Sequence, residues 1–314
     1  MSLRGSVYGS VICIVGPTAS GKSILAELVA KSLDTSIISV DAMQVYKGMN
    51  IGTAKTPLEE RKVPLLMVDC ASVLEEYSVQ MFQAAAREAA HNLISVGKIP
   101  VFCGGTGLYL DSIIDQMDFP AGSVNSPIRA YYEKLAAQIG AEGLYELLAN
   151  KDLKSAQLIH PNNVRRVVRA LELLEEGKSY ATHHEGLKAH MPYFDAHIWG
   201  LTMNRTRLYE QINERVDVMF EQGLVKEVKK LIEIGLSPQS TAGQAIGYKE
   251  FFAYFDGSQT LDKTKELIKQ HTRQYAKRQI SWLKRDGRVS WLDMDHLSLS
   301  EAAQVILDSF KCEA

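Results

Sequence analysis

An eight-residue motif near the start of the chain constrains its fold more than any other feature. It matches the phosphate-binding pattern G-x-x-x-x-G-K-S/T and consists of Gly16, Pro17, Thr18, Ala19, Ser20, Gly21, Lys22 and Ser23. An apolar run at residues 11–15 precedes it and an apolar pattern at helical spacing follows it, which is the strand-loop-helix context that the motif requires. Its backbone N–H groups and Lys22 are expected to bind phosphate oxygens, and the Ser23 hydroxyl is expected to ligate Mg²⁺.

The order of strand-like and helical segments predicts the fold class. Apolar runs at residues 11–15, 36–40, 65–68, 100–103, 198–201 and 289–292 alternate with helical patterns, which indicates an α/β fold: a parallel sheet with helices on both faces. Residues 119–198 show helical patterns without a convincing internal strand, so they are predicted to form a helical insertion domain, entered through a turn at residues 120–123. Residues 1–118 and 199–314 then form the core that carries the phosphate loop, with long helical patterns at residues 208–234 and 261–285.

Residues that follow the predicted strands are candidate site residues, because ligands of an open parallel sheet bind at the carboxyl ends of its strands. Asp41 follows the second apolar run, with Gln44 close behind it. Its carboxylate can take up a proton or hold Mg²⁺, but a helix cap or turn explains an aspartate there equally well. After the fourth run, the glycines permit close approach of a ligand and are also compatible with a plain turn; the segment is Gly104, Gly105, Thr106 and Gly107.

Two further strand ends offer different chemistry. Asp69 directly follows the third run and resembles the acidic strand end that holds Mg²⁺ in phosphate-loop nucleotidases, which favours a nucleotide or small-molecule kinase. After the run at residues 198–201, Arg205 and Arg207 are placed where a guanidinium can reach back to phosphate. One of these two arginines is expected to be a solvated charge at the start of a helix.

Two basic stretches lie outside the predicted sheet. Arg165 and Arg169 share one face of a helical pattern, with Arg166 beside them. Further along, a cationic stripe recurs every fourth residue and consists of Lys265, Lys269, Arg273 and Lys277. A solvated helix face is the plain alternative, but the scarcity of acidic residues between positions 269 and 285 favours a polyanion such as nucleic acid.

The overall charge is nearly balanced, with 35 Lys and Arg against 37 Asp and Glu, so any nucleic-acid surface must be local. The four cysteines are widely spaced and form no C-x-x-C pair, which fits a reducing compartment and predicts a cytoplasmic protein. No segment reaches the roughly 18 apolar residues of a transmembrane helix, so no membrane association is expected.

Several motifs, taken together, resemble the tRNA dimethylallyltransferase family (tRNA isopentenyltransferase, IPP transferase) from near the start of the chain to about residue 285. Besides the phosphate loop, the matching segments are Asp41-Ala42-Met43-Gln44-Val45-Tyr46, Gly104-Gly105-Thr106-Gly107-Leu108-Tyr109, His160-Pro161-Asn162-Asn163-Val164-Arg165-Arg166, Ile246-Gly247-Tyr248 and Thr272-Arg273-Gln274-Tyr275-Ala276-Lys277-Arg278-Gln279. The family usually has serine where this chain has Ala42, and an Asp-Pro pair where it has Asp152-Leu153, so this chain lacks a hydroxyl at residue 42.

The resemblance implies transfer of a dimethylallyl group from dimethylallyl diphosphate to the exocyclic amine of the adenine on the 3′ side of the tRNA anticodon, with release of diphosphate. It implies that Asp41 accepts the proton, while Thr18, Lys22, Arg205 and Mg²⁺ at Ser23 stabilise the diphosphate. The implied tRNA-binding residues are Asp41, Ala42, Met43, Gln44, Thr106, Arg129, Arg165, Arg166, Arg169, Gly247, Tyr248, Arg273, Lys277 and Arg278. The insertion domain and the C-terminal helices are expected to contact tRNA, and no obligatory protein partner is implied.

Two alternatives remain at this point. A nucleotide or small-molecule kinase would use the phosphate loop with Asp69, but it has no need for the cationic stripe. A non-catalytic RNA-binding protein would use the stripe and would leave the phosphate loop and Asp41 without a role.

Overall fold

The computed structural model describes residues 7–119, 126–186 and 190–313. The chain divides into two compact units: Met1–Asp115 with Pro192–Ala314, and Gln116–Met191. The predicted turn at residues 120–123 lies outside the described residues. The assignment of the second unit to tRNA contact stays a prediction.

The first unit is built on a parallel sheet. Its strand order is β3-β2-β4-β1-β5-β6, and every neighbouring pair is parallel. The bounds within the described residues are β1 (Ser10–Val15), β2 (Ile37–Val40), β3 (Leu65–Leu66), β4 (Val101–Gly104), β5 (Asp195–Thr202) and β6 (Ser290–Asp293). The predicted α/β class is confirmed. The strand β3 is shorter than the predicted run at residues 65–68, because Met67 and Asp69 adopt positive φ angles of 60° and 56° and leave the extended conformation.

Helices cover both faces of this sheet, as predicted. Alternate residues of β1 point to opposite sides: Val11, Cys13 and Val15 belong to one apolar cluster, and Ile12 and Ile14 belong to the other. The helices of this unit are α1 (Lys22–Ser32), α2 (Val79–Ser95), α3 (Gly107–Ile114), α8 (Arg205–Glu221), α9 (Leu224–Glu233), α10 (Phe251–Phe255), α11 (Leu261–Leu283) and α12 (Leu299–Glu313). The helices α1 and α12 cover the Ile12 side, and α2, α3 and α9 contribute to the cluster on the Val11 side.

The helical pattern at residues 208–234 is two helices, not one. Gly223, with a φ of 99°, separates α8 from α9 by adopting the left-handed conformation that terminates helices. The pattern at residues 261–285 is confirmed as the single long helix α11.

The second unit contains helices and no strand among its described residues. It contains α4 (Pro127–Lys151), α5 (Leu153–Gln157), α6 (Val164–Glu175) and α7 (Tyr180–Gly186) around its own core, which includes Tyr132, Leu144, Leu148, Val167 and Leu171. The helix α4 kinks at Gly140, which has a φ of 75°.

An almost fully buried glutamate organises the charges of this helical unit. Glu172 accepts hydrogen bonds from Ser126 Oγ at 2.7 Å, Arg129 Nη2 at 2.8 Å and Arg169 Nη1 at 3.0 Å. Burial opposes ionisation of this carboxyl, but the three donors outweigh burial and hold the pKa of Glu172 below its ordinary value. Two arginines that the sequence suggested for tRNA are therefore engaged in ion pairs inside their own unit.

Candidate active site

A cavity of about 350 Å³ opens at the carboxyl ends of β1, β2 and β4. This is the position that the parallel sheet predicts for a ligand site. Its walls come from the phosphate loop, the segment after β2, a loop at residues 52–56, α8, the segment at residues 244–249 and α11. The polar residues that line it include Thr18, Lys22, Ser23, Ser39, Asp41, Gln44, Thr106, Arg215, Tyr275 and Gln279.

The phosphate loop ends where α1 begins. Gly21 is the residue before α1 and has a φ of 86°, a left-handed conformation that glycine adopts without strain. Lys22 Nζ donates to the carbonyl of Pro17 at 3.2 Å, and it forms no ion pair with any acid among the described residues. Burial lowers the pKa of Lys22, and the nearby Arg215 guanidinium lowers it further.

Arg215 is the second cation at this loop. It projects from α8, is half-buried, and places Nη1 3.5 Å from Thr18 Oγ1. Burial lowers its pKa, and no acidic partner for it appears in the described part of the chain. Two desolvated cations without carboxylate partners are costly unless an anion binds between them, so this end of the cavity, termed the anion site, is suited to a bound anion.

Asp41 stands immediately after β2 and lines the same cavity as the phosphate loop. Its Oδ1 accepts hydrogen bonds from the backbone N–H groups of Met43 at 2.8 Å and Gln44 at 3.3 Å. These bonds are those of a turn aspartate, and they fix the orientation of the carboxylate while leaving Oδ2 without a hydrogen bond among the described residues. Asp41 therefore serves the turn and also presents one oxygen that can accept a proton, so the two interpretations of the sequence are compatible.

The helix α11 closes the cavity with two polar side chains. Gln279 is buried; its Oε1 accepts from the Thr18 N–H at 2.9 Å, and its Nε2 donates to the Gly105 carbonyl at 3.0 Å. Burial raises the pKa of Tyr275 to about 12, and the charge of Asp41 adds to that rise, so the phenol remains protonated beside the carboxylate.

The glycines after β4 make room for protein side chains. A Cβ at Gly105 would collide with the Gln279 amide, and a Cβ at Gly107 would collide with the Trp282 indole. At Gly105 and Gly107 the space is therefore occupied by α11, which packs directly on this loop, whereas Gly104 lines the cavity. Thr106 does line the cavity, and its Oγ1 accepts from the Ala42 N–H at 3.4 Å.

Comparison with known proteins places this arrangement in a family. Residues 44–286 match the family described as IPP transferase, and residues 9–63 match the description isopentenyl transferase. The chain belongs to the IPP transferase family. It is accordingly a transferase.

Individual IPP transferases are similar over almost the whole chain. The tRNA dimethylallyltransferase of Carboxydothermus hydrogenoformans is 46% identical over 299 residues, which cover 95% of this chain and 96% of that protein. The crystal structure of a tRNA delta(2)-isopentenylpyrophosphate transferase from Staphylococcus epidermidis has a TM-score of 0.72 and 37% identity, and covers 98% of this chain and 100% of that one. A eukaryotic dimethylallyltransferase described as acting on tRNA has a TM-score of 0.82 and 29% identity, over 97% and 80% of the two chains.

Within this IPP transferase, most of the residues predicted near the donor and the base meet in the cavity. Its walls include Thr18, Lys22, Ser23, Asp41, Ala42, Met43, Gln44, Thr106, Gly247 and Arg278. The remaining loop residues, Gly16, Pro17, Ala19, Ser20 and Gly21, supply the backbone that leads from β1 to α1. Tyr248 is fully buried behind the cavity wall, where its hydroxyl donates to Glu227 at 2.6 Å.

The arginine predicted to stabilise the diphosphate requires a correction. Arg205 is exposed on the first turn of α8 and does not line the cavity, and its neighbour Arg207 pairs with Asp295 at 2.9 Å. Arg215, ten residues further along the same helix, faces the phosphate loop instead. The sequence pattern did not indicate it, because Arg215 lies in the middle of a helix and not immediately after a strand.

The cationic stripe on α11 is partly neutralised by a neighbouring helix. Asp217 on α8 pairs with Lys265 at 2.6 Å and with Lys269 at 2.8 Å, and Asn213 accepts a hydrogen bond from Arg273. The scarcity of acids along α11 itself was therefore a misleading signal for the first half of the stripe. Lys277 and Arg278 are exposed.

The arginines of the helical unit likewise fall into an exposed set and a set paired with a carboxylate. Arg165 and Arg166 are exposed at the start of α6, whereas Arg129 and Arg169 bind Glu172. Of these four arginines, only the first two present their charge to solvent without an acidic partner among the described residues.

Asp69, on which the kinase alternative rested, does not reach the site. It pairs with the buried Lys55 at 2.7 Å and is absent from the cavity walls. The premature end of β3 explains this placement, because Asp69 is no longer the residue that follows a strand. No helix in the described part of the chain is long and apolar enough to cross a membrane.

Proposed function

We propose that this chain transfers a dimethylallyl group from dimethylallyl diphosphate to the exocyclic amine of the adenine 3′ to the anticodon, releasing diphosphate. The observation that carries the proposal is the pairing, in one cavity, of an anion site at Lys22 and Arg215 with the Asp41 carboxylate. The names of the relatives support the same activity.

The anion site suits a leaving diphosphate. As the allylic carbon–oxygen bond breaks, negative charge accumulates on the bridging oxygen and spreads over the diphosphate. The Lys22 ammonium, the Arg215 guanidinium and the backbone N–H groups at the start of α1 face that charge, and Thr18 lies within reach of Arg215 at 3.5 Å. These groups are more favourable to the transition state than to the intact donor, because the charge on the leaving group is larger in the transition state.

Mg²⁺ fits the donor set beside this loop. Ser23 lines the cavity, and Glu27, one turn further along α1, lines it as well. Hydroxyl, carboxylate and diphosphate oxygens are the ligands that Mg²⁺ prefers. Within the described residues no three His, Cys, Asp or Glu side chains form a metal site by themselves, so Ser23 would hold the ion mainly together with diphosphate. A bound Mg²⁺ would supply further neutralisation of diphosphate charge.

Asp41 is assigned to the acceptor. An aromatic amine is a weak nucleophile because its lone pair is delocalised into the ring, so a carboxylate that takes its proton as the new carbon–nitrogen bond forms lowers the barrier. Asp41 Oδ2 is the oxygen available for that proton. Gln44 and Thr106 flank it and offer an amide and a hydroxyl to the edge of the adenine.

The base must leave its stack to enter the cavity, which costs a few kcal/mol. Contacts of the tRNA backbone with exposed cations offset this cost, and Lys277, Arg278, Arg165 and Arg166 are the ones assigned to it. A cytoplasmic location is part of the proposal and is supported by the unpaired state of Cys13, Cys70 and Cys103.

The test is incubation of the protein with dimethylallyl diphosphate, Mg²⁺ and unmodified tRNA, followed by mass spectrometry of the released nucleosides. Prenylated adenosine is the expected product, and Asp41→Asn should reduce its rate of formation by about 10²-fold or more while diphosphate binding persists. Unaltered tRNA with the wild-type protein, or a normal rate with Asp41→Asn, contradicts the corresponding part of the proposal.

A further inference from the structure

Glu227 on α9 lies outside the chemistry assigned above, yet its carboxylate is fully engaged. Oε2 accepts from the backbone N–H groups of Asn50 at 3.1 Å and Ile51 at 2.8 Å. Oε1 accepts from the Gly52 N–H at 3.2 Å and from the Tyr248 hydroxyl at 2.6 Å. Three successive backbone donors that converge on one carboxylate form an anion-binding nest, and charge-assisted bonds of this kind are among the stronger hydrogen bonds in proteins.

This carboxylate joins two walls of the cavity. Gly52 and Thr53 belong to the loop that lines one wall, and Tyr248 lies within the segment at residues 244–249, which lines another. The Tyr248 ring packs on Gly52 so closely that a Cβ there would collide with it. Burial raises the pKa of Tyr248 well above its ordinary value, and Glu227 raises it further, so the phenol stays protonated and donates.

The loop held by Glu227 in turn fixes the side chain of Gln44. Gln44 Nε2 donates to the Thr53 carbonyl at 3.1 Å, and Gln44 Oε1 accepts from Ser39 Oγ at 2.8 Å. A carbonyl can only accept, so the amide nitrogen must face Thr53 and the amide oxygen must face Ser39. One N–H and one oxygen lone pair of Gln44 then remain for the cavity in a defined order, and an adjacent donor and acceptor match an adenine edge.

We infer that Glu227 is a positioning residue for the acceptor base, acting through the Asn50–Thr53 backbone to fix the amide of Gln44. The inference rests on the proposed function. It predicts that the effect of losing the Glu227 carboxylate on the chemical step depends on the presence of Gln44. A role confined to folding would not have that dependence.

The test is a double-mutant cycle on the single-turnover rate of adenine prenylation, at saturating tRNA and donor. Glu227→Gln replaces one acceptor oxygen by an NH₂ group that faces N–H donors, and it should slow the reaction by about tenfold. In the Gln44→Ala background, Glu227→Gln should alter the rate by less than about twofold, since the amide that Glu227 positions is gone. The KM for dimethylallyl diphosphate should stay within about twofold of wild type in both backgrounds.

Two further variants keep the test decisive. Tyr248→Phe removes one of the four donors but retains the ring on Gly52, and it should cost about threefold, again only when Gln44 is present. Glu76→Gln is the matched control: that carboxylate also binds a loop, through the Thr241 N–H and hydroxyl, but it does not line the cavity, so its rate should stay within about twofold of wild type.

Equal losses with and without Gln44, for Glu227→Gln or for Tyr248→Phe, overturn the inference and leave Glu227 a residue of the fold. A Gln44→Ala variant with the wild-type rate overturns it too. Absence of prenylation by the wild-type protein is a different result, which contradicts the proposed function itself.

Discussion

The two cations of the anion site have no acidic partner in the described part of the chain, whereas several of the other cations singled out by sequence are paired with a carboxylate. Lys22 and Arg215 form no ion pair among the described residues, and burial lowers the pKa of both. Lys265 and Lys269 on α11 share Asp217, and in the helical unit Arg129 and Arg169 share Glu172.

The difference shows that tertiary structure decides whether a cation is free to bind an anion. A desolvated cation without a partner is held at a cost in folding free energy, and a bound anion recovers that cost as binding energy. A cation already paired with a carboxylate must break that pair before it can bind phosphate. The anion site should therefore be sensitive to single substitutions, and the paired cations should be insensitive.

The largest expected effect is at Arg215. Arg215→Ala should lower the single-turnover rate of prenyl transfer by about 10²- to 10³-fold, because it removes a preorganised donor that faces the developing charge. Arg205→Ala, on the same helix but exposed, is the matched control and should leave the rate within about twofold. The reverse order of the two effects, measured by rapid quench with tRNA at saturation, would show that the wrong arginine has been placed at the diphosphate.

The second effect concerns Lys22 and pH. Only the protonated amine attracts an anion. Because the pKa of Lys22 is lowered, the amine loses its proton, as the pH is raised, before the pH reaches the ordinary lysine pKa of 10.5. Diphosphate affinity should therefore fall as the pH rises toward that value, by at most about tenfold per pH unit for one coupled proton. Calorimetric titration of inorganic diphosphate measures this. Lys22→Arg, whose charge persists, should remove the component due to Lys22, and an identical profile in both proteins would assign the titration elsewhere.

A smaller effect is expected on tRNA binding. Replacing Lys277 and Arg278 by glutamine should weaken binding and flatten its salt dependence by about 0.7 to 0.9 log units for each tRNA phosphate that the protein no longer neutralises. Replacing Lys265 and Lys269 in the same way should change the slope little, since Asp217 and Glu266 together already neutralise them. Filter binding across a salt series compares the two double variants. Equal changes in slope would mean that a lysine paired within the protein still binds tRNA phosphate.

The smallest effect is expected at Asp217 itself. Its carboxylate is partly exposed, and two lysines hold its pKa below the ordinary value. Asp217→Asn should reduce the free energy of unfolding by less than about 1 kcal/mol, as is usual for exposed pairs. It should also make tRNA binding more salt-dependent because Lys265 is released, while Lys269 keeps Glu266 as a partner. A thermal unfolding curve and the same salt series test both parts. A flatter salt dependence would contradict the comparison between paired and unpaired cations.

The sequence alone determined those features that depend on near neighbours in the chain. The phosphate loop is recognisable because its glycines, Lys22 and Ser23 work within eight consecutive residues flanked by a strand and a helix. The parallel sheet follows from short apolar runs separated by helical patterns, and Asp41 was identified because it comes directly after such a run.

Tertiary structure decided everything that depends on residues brought together from distant parts of the chain. Arg215 reaches Thr18 across 197 positions, and Gln279 reaches it across 261, so no local pattern announces either contact. The glycines at residues 105 and 107 were ambiguous until the packing of α11 showed what fills the space above them. The stripe on α11 looked unopposed until α8 supplied Asp217. Helical periodicity fixes which residues share a face, but the element packed against that face decides whether their charges remain available.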